Sequence, residues 1–146
     1  MIIREGTLAE AVSVLGQIDE FARQETLDTL KKRIGDKPFL VLVADHGGEL
    51  CGVKIGYQLD DDCFYSWLGG VTKKGRLRGI AQGLLHAQEH WVAAHGYGSI
   101  RVKSRNCFAG MLCLLLNNHY QVEHLEKKDS LDQYRLHFVK KITSDK

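Results

Sequence analysis

The residues best placed to do chemistry cluster between Leu68 and Ala81. They read Leu68-Gly69-Gly70-Val71-Thr72-Lys73-Lys74-Gly75-Arg76-Leu77-Arg78-Gly79-Ile80-Ala81. Extended residues lead into a basic, glycine-containing loop, and the loop opens a helix. The first turn of a helix carries backbone N–H groups without intrahelical partners, and its dipole favours negative charge. Such a turn suits an anion, a pyrophosphate included. Gly79 lets the backbone approach a phosphate closely. Ala81 keeps the helix start small, and Arg76 and Arg78 add positive charge. The loop lacks the G-K-[ST] of a P-loop and the G-x-G-x-x-G of a dinucleotide fold. A plain helix start approached by a loose loop is the alternative reading.

A second constellation is His86-Ala87-Gln88-Glu89-His90, which spells the H-x-x-E-H of inverted zinc proteases. Its two histidines would share a helix face, the polar one opposite Leu84, Leu85 and Val92. A zinc site needs a further ligand and a supporting shell, and no clear one follows downstream. A solvated helix face without metal is expected. His95 falls where a histidine can interact with the helix C-terminal dipole. Cys51, Cys63, Cys107 and Cys113 form no C-x-x-C pair and read as reduced thiols.

These residues must be positioned by regular elements. Met1 to Arg4 reads as a first strand. Thr7-Leu8-Ala9-Glu10 is a capping box, so a helix starts there. Leu8, Val12, Leu15, Ile18 and Phe21 or Ala22 continue it at helical spacing. Glu25 to Ile34 fits a second helix, stopped by Gly35. Phe39 to Ala44, Leu50 to Leu59 and Cys63 to Val71 make a three-stranded meander with turns at Asp45–Gly48 and Asp60–Asp62. Gly79 to His95 has the pattern of a helix, with Ala81, Leu84, Leu85, Gln88, Trp91 and Val92 on one side. Ser99 to Lys103 is a strand, and Met111 to Leu116 an apolar helix suited to a core or a dimer interface. Tyr120 to Leu125 and Gln133 to Val139 close the chain as strands. The order β-α-α-β-β-β-α-β-α-β-β implies an α/β (α+β) domain. It is expected to be one mixed, mainly antiparallel sheet with helices on both faces.

Bulk properties set the limits. A chain of 146 residues makes one domain, taken as 1–146. A net charge of +2 without a long basic run argues against nucleic acid as partner. No stretch approaches the ~20 apolar residues of a membrane helix. The N-terminus carries no signal-peptide pattern, so a cytoplasmic location is expected.

Arg76 to Ala81 matches R-x-x-G-x-A after a strand ending in Val71. In this it resembles the cofactor signature of the GNAT superfamily of acetyl-CoA-dependent N-acetyltransferases, [QR]-x-x-G-x-[GA]. Ile100-Arg101-Val102-Lys103-Ser104-Arg105-Asn106 resembles the family's next strand, which ends in an asparagine at the head of a helix. The order of elements agrees as well. The resemblance implies that Arg76, Leu77, Arg78, Gly79, Ile80, Ala81 and Gln82 bind the coenzyme A pyrophosphate, mainly through backbone amides. It implies that Gly69, Gly70 and Val71 pair with the pantetheine arm beside a bulge, which Gly69-Gly70 would suit. It gives Val71 N–H as an oxyanion contact and Asn106 as a contact to the cofactor arm. The implied reaction is direct attack of a primary amine, on a small molecule or peptide, upon acetyl-CoA.

The sequence departs from the family at the usual acid. The pattern L-Y-x-x-x-G-F is met by Leu114-Leu115-Leu116-Asn117-Asn118-His119-Tyr120, so Leu115 replaces the tyrosine. Cys113, His119 and Tyr120 are the candidates left nearby, with solvent as another source of the proton. Tyr65 and Trp67, sharing strand parity with Gly69 and Val71, would line an acceptor cleft or else be core or surface aromatics. An acyl-CoA-binding or regulatory module with little turnover is the alternative function, and a metal hydrolase built on His86, Glu89 and His90 a third.

Overall fold

The computed structural model describes residues 1–18, 25–76 and 79–142. The expected helical positions Phe21 and Ala22 therefore lie outside the described residues, as do Leu77 and Arg78 of the basic loop.

The elements follow the expected order: β1 (Ile2–Glu5), α1 (Leu8–Leu15), α2 (Leu27–Ile34), β2 (Phe39–His46), β3 (Glu49–Asp60), β4 (Cys63–Val71), α3 (Ile80–Ala94), β5 (Ser99–Arg105), α4 (Ala109–Asn117), β6 (Gln121–Glu126) and β7 (Arg135–Lys141). The Thr7 capping box forms. Thr7 Oγ1 accepts from Glu10 N–H and Glu10 Oε1 accepts from Thr7 N–H. Thr26 and Thr29 do the same for α2. α1 ends at Leu15, earlier than its periodicity suggests, although Ile18 is still buried in the core.

The strands form one sheet in the order β1-β2-β3-β4-β5-β7-β6. Its pairs are antiparallel except β4 with β5. The apolar run of β2 is continuous because both faces of that strand are covered. Val41 and Val43 pack toward α1 and α2, whereas Leu40, Leu42 and Ala44 pack toward α3 and α4. Two cores result, one on each side of the sheet.

Two details of β3 and β4 differ from expectation, and both shape the candidate site. In the β3–β4 ladder Ile55 pairs with Leu68 and Gly56 with Ser66, so Trp67 is the extra residue of a bulge. Gly69 and Gly70 are in regular register with Lys54 and Val53. The bulge is thus at Trp67, not at the glycines. Trp67 can hold an unpaired position because its ring is anchored, edge-on to Tyr57 and under the Arg33 guanidinium. The bulge also breaks the expected parity. Tyr65, Trp67 and Leu68 pack toward α1 and α2, while Val71 packs toward α3.

Candidate active site

The site begins where two strands part. β4 and β5 pair only from Cys63–Ser99 to Ser66–Val102. β4 continues to Val71 and β5 to Arg105, but β5 beyond Val102 pairs only with β7. The parting starts at the Trp67 bulge, which increases local twist. One edge of β4 is left facing a gap.

The ladder fixes which groups face that gap. Thr72 N–H donates to Cys51 C=O at 2.9 Å. Antiparallel pairs alternate between bonded and non-bonded, so Val53–Gly70 is bonded and Gly52–Val71 and Lys54–Gly69 are not. The backbone N–H and C=O of Gly69 and Val71 therefore point away from β3, into the gap.

At the end of β4 the chain turns through Lys73–Gly75 into α3. A Cβ on Gly75 would lie 2.8 Å from Cys51 O, 2.9 Å from Val71 Cγ1 and 3.0 Å from Ile80 Cδ1. Only glycine lets the loop fold this closely onto both β4 and the start of α3. Gly79 precedes α3 with φ 73°, a left-handed conformation, and nothing lies within 4 Å of where its Cβ would be. The first intrahelical bond is Gly83 N–H to Gly79 C=O, so Ile80, Ala81 and Gln82 keep N–H groups with no partner inside the helix. α1 and α2 satisfy such groups with threonine side chains, whereas no side chain among the described residues caps α3. The Gln82 side chain is occupied elsewhere, by Asn118 and His86.

Beneath β4, on the α3 side, lies Lys54. It occupies the β3 position between Gly52 and Gly56, where missing side chains admit Ile80, Leu84 and Gln88 of α3. Lys54 is 6 % exposed. No hydrogen bond or ion pair reaches it among the described residues. Its Nζ is 3.6 Å from where a Cβ on Gly69 would stand. Burial pushes its ammonium down to about 8, against a weaker opposing pull from Glu89. Gln88, fully buried against Gly56, leaves both side-chain amide atoms unpartnered. Lysine is seldom buried unpaired. The signal in the sequence was a lysine amid Cys51-Gly52-Val53-Lys54-Ile55-Gly56, an otherwise apolar strand interior.

The opposite face of the sheet carries a cavity of about 190 Å³ whose lining includes Arg33, Tyr57, Tyr65, Lys103 and His137. Tyr65 stands edge-on to Tyr57, and the Lys103 ammonium lies 5.8 Å from the Tyr65 ring centroid. Burial raises the Tyr65 hydroxyl above its ordinary range. Trp67 adjoins this cluster through Tyr57 and Arg33.

The remaining candidates are scattered. Asn106 follows β5, and its side-chain N–H donates to Leu131 C=O. Leu115 is fully buried in the core. Cys113 is exposed on α4, and His119, exposed and with φ 72°, follows just after it. Tyr120 is buried, and its hydroxyl donates to Glu89 Oε2 at 2.9 Å, where Lys140 Nζ also binds. Burial and Glu89 together drive the Tyr120 hydroxyl far above its ordinary range. Glu89 is therefore turned inward, not onto a solvated face, because Tyr120 and Lys140 offer it partners there. His86 instead meets Gln82 and Asn118. The residues of the H-x-x-E-H spelling do not converge. His95 Nδ1 lies 2.8 Å from Trp91 C=O at the end of α3. α4 buries Leu115 and exposes Leu116. No described helix is long and apolar enough to cross a membrane.

No protein-family model matches the sequence, and no curated protein matches it by sequence. Solved structures do match. The ribosomal-protein-S18-alanine N-acetyltransferase of Escherichia coli superposes with a TM-score of 0.84 at 13 % identity, over 99 % of this chain and 96 % of that one. A GNAT family acetyltransferase from Elizabethkingia anophelis, solved with acetyl-CoA bound, gives 0.76 at 14 % identity over 96 % and 97 %. The aminoglycoside 6'-N-acetyltransferase of Enterococcus faecium gives 0.78 at 14 % identity over 100 % and 99 %. The chain therefore has the fold of the GNAT acetyltransferases.

Proposed function

We propose that the protein is an acetyl-CoA-dependent N-acetyltransferase acting on a primary amine of a small molecule or peptide. The observation that carries this reading is the gap beside β4. Backbone groups of Gly69 and Val71 face it, and it runs toward an uncapped helix start. An extended molecule with amides along its length and a pyrophosphate at one end matches that arrangement. Acetyl-CoA has this form and brings an activated acetyl thioester.

The chain's own groups divide the work. N–H groups from Gly79 to Gln82 hold the pyrophosphate at the positive end of the α3 dipole, with Arg76, Leu77 and Arg78 completing the loop. Gly69, Gly70 and Val71 hold the pantetheine arm, and the Val71 or Gly69 N–H stabilises charge on the carbonyl oxygen. Asn106, just past the end of β5, is the proposed contact to the cofactor arm. On the other face, Tyr65 and Trp67 border the space for the acceptor. Amine and thioester thus meet through the sheet, and proximity supplies much of the acceleration. The metal-free reaction needs a neutral amine, so a base or water must take its proton. No membrane or nucleic-acid partner enters this scheme; a homodimer and a cytoplasmic location belong to it as expectations.

Solved structures of this fold are named for a protein alanine and for an aminoglycoside, so the fold does not select the acceptor. A binding module with little turnover is the second reading, favoured by the burial of Leu115 where a tyrosine would stand. Calorimetric titration with acetyl-CoA tests the site. One molecule bound per chain is expected, and no heat of binding would rule out the assignment of the gap.

A further inference from the structure

Lys54 is buried, unpartnered and placed under the part of β4 that lines the gap. Its neighbour across the ladder is Gly69, a non-bonded pair in which side chains come closest. Because Gly69 has no side chain, the lysine stem lies against it, with Cγ 3.5 Å and Nζ 3.6 Å from the Cβ position. Gly52 and Gly56 on either side let α3 close over the stem, while the Nζ is not among the fully sealed polar atoms and keeps a path out. The charged group that acts on it is Glu89 from α3, itself held by Tyr120 and Lys140. β2 offers Leu42 beside it and β4 offers Gly69, neither of which titrates. Folding a cation into such a place has a cost that a structural role does not explain, since no carboxylate among the described residues pairs with it.

We propose that the Lys54 ammonium donates the proton to the departing thiolate of coenzyme A, in place of the tyrosine absent at Leu115. The inference rests on the function proposed above. The acceptor nitrogen forms a bond to the acetyl carbon, and the carbon–sulfur bond breaks with its electron pair going to sulfur. Lys54 Nζ gives its proton to that sulfur and becomes a neutral amine. The proton lost from the acceptor nitrogen passes to solvent, and Lys54 is reprotonated from solvent. A lysine near 8 is matched to a thiol of ordinary pKa ~8.5, so the transfer is close to balanced.

The test uses the whole protein and a Lys54→Met variant, which keeps the stem and removes the charge. Loss of an unpaired buried charge should not unfold the chain, and Lys54→Gln serves as a second variant. Ultraviolet absorbance follows ionisation of the thiol of bound coenzyme A against pH. In the wild type the ammonium favours thiolate, so ionisation occurs at lower pH, with at least about tenfold more thiolate than in the variant at the same pH. Identical titrations would overturn the proposal. In steady-state assays Lys54→Met should lower kcat about 100-fold while leaving the acetyl-CoA Kd within about threefold. The wild-type kcat should fall as pH rises through about 8, and that limb should be absent from the variant. An unchanged kcat also overturns it. If coenzyme A does not bind the wild type at all, the functional reading fails together with this one; binding with an unaltered thiol titration sinks this one alone.

Discussion

Gly79 turns left-handed at the head of α3 and faces open space, so in the proposed site a side chain there would project toward the pyrophosphate. Gly79→Glu adds strain, bulk and negative charge at once. It is expected to weaken acetyl-CoA binding more than about 100-fold by calorimetry, because a like charge replaces a site built for an anion. Retained affinity would remove the loop from the site. Lys54 makes a separate prediction about stability. Its folded pKa of about 8 lies below the unfolded value of 10.5, so the unfolded chain binds more protons between those limits. Stability from this residue therefore rises with pH from about 8 to 10.5 and is flat outside that window. The full effect is roughly 3 kcal/mol, and Lys54→Met should abolish the rise in urea unfolding series. The two residues differed in legibility. Gly79 belongs to a contiguous pattern with a physical reason at each position. Lys54 stands alone in a strand, where a lysine ordinarily marks the solvent face. Only the packing of α3 over this part of β3 reveals that the strand has no solvent face there.

At the scale of elements, caps and turns were readable because they are local. Thr7 with Glu10 is a chemical pair three residues apart, and it formed. The bulge was not readable in the same way. Glycine permits a bulge, but the cross-strand register decides where one falls, and that depends on how β3 and β4 align along their length. Trp67 took the extra position because Arg33, in a different element, anchors its ring. Once the bulge is placed, the outward turn of Gly69 and Val71 follows from ladder alternation. The loop between β4 and α3 makes its own prediction. Gly75→Ala forces a Cβ to within 2.8 Å of the Cys51 carbonyl, a backbone atom that cannot swing aside. The variant should lose about 1–3 kcal/mol in urea unfolding and bind acetyl-CoA more weakly, since the start of α3 must shift. Wild-type stability with wild-type affinity would show that the close packing of this loop is unimportant.

At the scale of the whole molecule, the proposed cofactor side forms a motif in the sequence and the proposed acceptor side does not. The signature loop, the parting strand and the asparagine after β5 come in chain order within a short stretch, so the sequence displays them together. The proposed acceptor face draws Arg33 from α2, Tyr57 from β3, Tyr65 from β4, Lys103 from β5 and His137 from β7. Elements scattered so widely along the chain make no motif. Their convergence is a product of the β1-β2-β3-β4-β5-β7-β6 strand order. The central claim is acetyl transfer to an amine, and the release of coenzyme A thiol from acetyl-CoA in the presence and absence of primary amines tests it most directly. Polyamines, aminoglycosides, amino acids and peptide N-termini form the panel. At least one class should raise thiol release far above hydrolysis, with the acetyl group recovered on its nitrogen. Tight acetyl-CoA binding with thiol release that no amine accelerates would contradict transfer and leave a binding module in its place.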